Sequence, residues 1–119
     1  MILTIKGSLT DLNTYINAER SNRFMGSTVK KNNTHAVHNA AIEQHLKKIR
    51  PPVFFAFRWY CKDKKKDKDN IAFAKKYIFD GLILAKVLTN DGWNDIEGWS
   101  DDFYIDVDNP RIEVEITAA

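Results

Sequence analysis

The segment 61-CKDKKKDKDN-70 sets five lysines and three aspartates into the nine residues that follow a cysteine. Asp67 and Asp69 stand two apart near its end. In extended chain, residues i and i+2 point to the same side, so both carboxylates can converge. Two such charges about 4 Å apart repel by roughly 4 kcal/mol at an effective dielectric near 20, and something must offset that cost. Neighbouring ammonium groups do so in part. A divalent cation does it better, and Mg²⁺ takes one or two carboxylates together with waters and substrate phosphates. The competing reading is a solvated turn, with Asp69 capping a helix and the lysines facing water. An EF-hand is excluded: the ligand position after Asp69 is Ile71, and the required glycine and closing glutamate are absent.

These carboxylates need a frame, and the surrounding residues predict one. Residues 2–6 read as a short strand ended by Gly7, after which Ser8 or Thr10 caps a helix through about Glu19. Residues 20–33 carry four basic groups with no clean period, and read as a mobile basic loop or a broken helix. A second helix is predicted over 34–49, with Ile42, Leu46 and Ile49 on one face and Pro51-Pro52 as its stop. The aromatic run 53-VFFAFRWYC-61 reads as a strand buried on both faces. After the charged segment, Ile71, Ala74, Ile78, Leu82 and Ala85 predict a helix over 70–88 with Asp69 or Asn70 as N-cap. Finally 102–107 and 111–117 alternate around Asn109-Pro110, a hairpin signal. The order β-α-α-β-α-β-β predicts an α/β domain, a mixed sheet with helices packed on it.

At 119 residues the chain makes one domain, 1–119, with a core of its own. One cysteine excludes an internal disulfide framework and points to the cytoplasm. The longest apolar run, 51-PPVFFAF-57, is far short of a membrane span, and MILTIKG lacks the features of a signal peptide. Net charge is +2, but residues 1–66 hold 13 Lys/Arg against 4 Asp/Glu, and residues 67–119 hold 5 against 12. The first part suits a polyanion such as nucleic acid, while the second gathers carboxylates.

The array 67-DKDN-70, Lys76, 79-FDGL-82 and 90-ND-91 resembles the RusA family of Holliday-junction endodeoxyribonucleases, over roughly residues 53–117. Members of that family carry D-x-D-N after an aromatic strand, a lysine on the next helix, a D-A/G-L turn within it and a later acidic residue. The resemblance implies a RusA-like homodimer that resolves four-way DNA junctions in recombination and repair. It also implies a Mg²⁺ cofactor, with Mn²⁺ as a substitute, held by Asp67, Asp69 and Asp91. Spacing alone does not bring Asp91 to the pair, since an 18-residue helix is roughly 27 Å long. The family's lysine interval counted from Asp69 lands on Phe73, whereas counted back from Asp80 it lands on Lys76. Lys76 is therefore the candidate catalytic lysine, with Lys75 beside it left open. Lys62, Lys64, Lys65 and Lys66 would clamp adjacent phosphates, and Arg20, Arg23, Lys30 and Lys31 would touch the DNA backbone. The alternative is a non-catalytic protein of the same fold that binds branched DNA.

Other constellations are weaker. His35, His38 and His45 lack the further ligands a zinc site needs, and read as solvated or core-edge side chains. Cys61 reads as a small residue ending a strand. Trp93 and Trp99 lie among acidic residues, which favours core or dimer packing over base stacking.

Overall fold

A glycine and two polar caps organise the first third of the chain in the computed structural model, which describes residues 1–119. Strand β1 (Ile2–Lys6) ends at Gly7, whose φ of 73° lies in the left-handed region that side chains disfavour. Asp11, rather than Ser8 or Thr10, caps helix α1 (Leu12–Ser21). Its carboxylate accepts from the Thr14 N–H at 3.2 Å and the Thr14 hydroxyl at 2.7 Å. Asn22 then breaks the chain and caps α2 (Arg23–Glu43) by accepting from the Phe24 N–H. The basic stretch 20–33 is thus helical on both sides of a single break. α2 also stops at Glu43 rather than near Ile49, because His45 turns into the left-handed region at φ 57°. Leu46 and Ile49 reach the core from the irregular segment that follows.

The site-bearing half follows. Strand β2 (Val53–Cys61) leads through the charged segment to α3 (Lys68–Ala72) and α4 (Lys75–Leu84), then to β3 (Ile96–Ile105) and β4 (Arg111–Ala118). The helix expected over 70–88 is therefore two helices, and its N-cap position is Asp67. At the break, the amides of Ala74, Lys76 and Tyr77 each bond the carbonyl three residues back, which tightens the chain between the two pieces.

The four strands form one mixed sheet in the order β1-β4-β2-β3. β3 runs parallel to β2, with Phe57 opposite Asp101, and β4 pairs antiparallel with both β2 and β1. The fold is α/β, as the element order predicts. The hairpin is not formed: β2 lies between β3 and β4. The α3–α4 crossover returns the chain parallel to β2, and β4 fills the remaining gap beside β1. Its alternation of Ile112, Val114 and Ile116 inward is that of an interior strand with one covered face.

β2 is covered on one face only. Val53, Phe55, Phe57 and Trp59 are buried under Phe79 and its neighbours, while Phe54, Ala56, Arg58 and Tyr60 are half-buried. The uncovered face carries an ion-pair lattice instead of helices, with Arg58 bonded to Glu113 and Glu115, and Arg111 to Glu113 and Asp106. Helices α2 and α4 cross where Gly81 meets Val37.

Asp11 also ties α1 to the charged segment, since Lys66 Nζ lies 3.2 Å from its Oδ1. Burial pushes the Asp11 carboxyl up, but the Thr14 hydroxyl and amide and the Lys66 ammonium outweigh it, holding the group at about 2 against an ordinary 3.8. A carboxyl depressed in the folded state gives stability that is complete above the unfolded value and drains away as pH falls toward the folded one. The loss should amount to roughly 2 kcal/mol and fall between about pH 5 and pH 2. Urea unfolding followed over that range is expected to show it. The Asp11→Asn chain, which keeps an N-capping side chain, should lack that part of the pH dependence.

Candidate functional site

Asp67 and Asp69 line one open cleft of about 760 Å³ together with Lys64, Lys66, Phe103 and Tyr104. The pair does not converge by strand alternation, however. Asp67 is extended (φ −68°, ψ 153°) just before α3, while Asp69 sits in the first helical turn. Both are exposed, and neither carboxylate accepts a hydrogen bond or joins an ion pair.

This lack of partners is notable because ammonium groups surround them. Lys66 is committed to Asp11. Lys68 Nζ lies 5.6 Å from the centre of the Phe103 ring. Lys62, Lys64 and Lys65 are exposed, and their ammonium groups form no ion pair; the Lys65 backbone N–H is bonded by Asp63 at 3.0 Å. The lysines thus make the local potential more positive without neutralising either aspartate by contact. Two free hard-oxygen ligands beside an open cleft match the donor set that Mg²⁺ accepts.

The third expected ligand lies elsewhere. Asp91 Oδ2 accepts from Lys76 Nζ at 2.9 Å, and the same ammonium lies 3.2 Å from Asp80, one helical turn along α4. The Asp91 hydrogen bond is the main reason that Lys76 is held above the ordinary lysine range, with Asp80 adding to it against partial burial. Neither Lys76 nor Asp91 lines the Asp67–Asp69 cleft. No three His, Cys, Asp or Glu side chains stand together as a metal-binding group. The tightened junction at Phe73 and Ala74 is what redirects Lys76, since it breaks the helical register counted from Asp69.

Lys75 has a different occupation. Its Nζ is bonded to Asp101, which also accepts from the Trp59 indole N–H at 2.8 Å. The rings of Phe57, Trp59 and Trp99 surround the ammonium at 5.2 to 5.9 Å. Asp101 and Phe103 were not legible as site residues because the parallel β2–β3 register places them there. Lys75→Met should lower the unfolding free energy by about 2 kcal/mol, since it strands a largely buried carboxylate. Lys76→Met, at a half-exposed position, should cost about 0.5 kcal/mol or less. Parallel urea titrations distinguish the two.

The remaining candidates are dispersed. Arg20, Arg23, Lys30 and Lys31 are exposed on α1 and α2 and make no ion pairs. α1 does meet the charged segment, through the Asn70 side chain accepting from the Asn13 N–H and through stacking of Tyr15 on Phe73. Arg20 nevertheless lies roughly 13 Å along the helix axis from Asp11. His35 and His38 sit on α2 with rings 6.5 Å apart, and His45 lies beyond its end. Cys61 is half-buried at the end of β2, and burial raises its thiol pKa. Trp99 packs on Phe79, but Trp93 is 97% exposed and takes no part in the core. No helix is long and apolar enough to cross a membrane. Comparison of the chain with protein-family models and with curated proteins finds no match in either.

Proposed function

We propose that this protein is a Mg²⁺-dependent endodeoxyribonuclease acting on branched DNA, with the four-way junction as substrate. The observation that carries the reading is the pair Asp67 and Asp69, unpartnered among lysines at the mouth of an open cleft. The resemblance of 67-DKDN-70 with Lys76, Asp80 and Asp91 to the RusA family supports the same chemistry. Asp67 and Asp69 would hold the cation, whose chemistry is to polarise a phosphate and lower the pKa of a bound water.

The other groups act on the strand itself. Lys62, Lys64 and Lys65, with ammonium groups unengaged by carboxylates, would meet backbone phosphates without reading sequence. Asp91 is the third ligand by resemblance. Its recruitment to the cleft would release one of the two carboxylates that hold Lys76, leaving Asp80 to position an ammonium with charge to spare for a phosphate. A homodimer follows from the task, because resolving a junction takes two incisions related by near two-fold symmetry.

The test is incubation with an end-labelled immobile four-way junction, with and without Mg²⁺. Cleavage in opposed strands only when Mg²⁺ is present is the expected result. Binding without cleavage under both conditions would instead select a non-catalytic junction-binding protein. That second reading has its own observation behind it: Asp91 is paired with Lys76 and is not gathered with Asp67 and Asp69.

A further inference from the structure

Behind the Asp67–Asp69 cleft lies a second cavity of about 230 Å³ that the proposed function leaves unused. The two share Cys61, Asp63, Lys66 and Ile71 in their walls, so they adjoin one another. The cavity is lined by Leu9, Trp59, Ala74 and Ile112. One buried charge also lines it, the Asp11 carboxylate. Its volume is below the roughly 300–1,000 Å³ of pockets for drug-sized ligands, and suits a single flat ring system.

We propose that this recess receives one unstacked nucleobase of the DNA strand lying in the cleft, recognised through its exocyclic amino group by Asp11. The inference rests on the nucleic-acid reading above and adds a base-binding subsite to it. Three observations lead there.

The first is continuity. Lys66 lines both cavities, so a strand whose phosphates follow the lysines passes the mouth of the recess. The second is the chemistry of the wall. An aromatic and aliphatic lining favours a base leaving the stack, and enzymes that act on nucleic acid recover the unstacking cost by enclosing the base. The third is Asp11 itself. A carboxylate offers about four acceptor positions. Three are taken, by the Thr14 N–H, the Thr14 hydroxyl and Lys66 Nζ. One acceptor position is left over on a buried carboxylate that lines the cavity. A carboxylate there accepts from the exocyclic amino group of cytosine, adenine or guanine, whereas an unstacked thymine has no amino group and offers only its N3–H. Branched DNA presents bases at its crossover that are easier to unstack than those of a continuous duplex.

The experiment uses the full-length chain in EDTA, so that no step depends on cleavage. Immobile four-way junctions carry a single 2-aminopurine, which fluoresces when unstacked and bears an exocyclic amino group, at successive positions around the branch point. Anisotropy of a distant label reports binding in the same samples. A rise of about threefold or more is expected at one position per symmetric half. Cys61→Phe, at a half-exposed site, fills the space where the two adjoin and should abolish the rise, while junction affinity falls by less than about tenfold. With cytosine or thymine at the responsive position, the parent chain should prefer cytosine by about fivefold or more, and Asp11→Asn should erase that preference.

Binding with flat fluorescence at every position would overturn the recess assignment and leave the proposed nuclease function standing. A rise that persists in Cys61→Phe places the base elsewhere and overturns it equally. An unaltered cytosine preference in Asp11→Asn removes Asp11 from recognition. Absence of junction binding in the parent chain would overturn both this inference and the reading on which it rests.

Discussion

Asp69→Asn is expected to cleave junction DNA at least about a hundredfold more slowly than the parent chain while binding it as before. The size follows from the role proposed for the residue. A hundredfold loss corresponds to about 2.7 kcal/mol of transition-state stabilisation, an ordinary consequence of weakening one anionic ligand to a catalytic metal. The substitution keeps the shape of the side chain. It also breaks no side-chain contact, because the Asp69 carboxylate has no protein partner to lose and is exposed. Melting temperature should therefore stay within about 1 °C of the parent, and anisotropy with labelled junction should give the same affinity within about threefold. Single-turnover cleavage in saturating Mg²⁺ supplies the rate. A rate equal to the parent's would remove Asp69 from the metal site.

The second large effect is on folding. Gly81→Ala is expected to lower the unfolding free energy by about 2 kcal/mol. A Cβ at Gly81 would lie 2.5 Å from Val37 Cβ and 2.8 Å from the Thr34 carbonyl oxygen. The oxygen belongs to the backbone of α2, so relief requires the two helices to separate. Overpacking of this kind costs about 3 kcal/mol, against which alanine's better helix propensity returns about 1. The thermal midpoint should fall by on the order of 8 °C. Gly98→Ala is the control, since its Cβ would meet the Phe54 ring at an ordinary 3.7 Å. If Gly81→Ala were as stable as the control, the α2–α4 crossing would have to be looser than described.

Local patterns carried much of this fold. The alternation of Val53, Phe55, Phe57 and Trp59 located β2, and the same alternation at Ile112, Val114 and Ile116 located β4. The first half of β3 was missed because 96-IEGWSD-101 is acidic and glycine-containing, and its strand character comes from a parallel partner 43 to 44 residues earlier. The false hairpin had the same origin. Alternation reports which side of a sheet a residue faces, and says nothing about which strand lies beside it. At the site, Asp67 and Asp69 were legible because one short segment contains them. Lys75 was not, since its partner Asp101 is 26 residues away and its aromatic enclosure spans two strands. The break between α3 and α4 was half-legible: the lysine interval required extra residues there, but helical periodicity continued through it.

The position of β4 has a kinetic meaning. Of the strands it is the last to be synthesised, yet it lies in the interior of the sheet, with Glu115 opposite Ile2 on one side and Ala56 on the other. Until residues 111–118 arrive, β1 and β2 have no strand between them, and the apolar row from Val53 to Trp59 lacks its neighbour. The sheet closes through contacts more than 100 residues apart, the class of contact that makes folding slow and cooperative. A chain ending at Pro110 would therefore hold every candidate metal ligand and phosphate-contacting residue and still be unable to assemble the sheet that positions them.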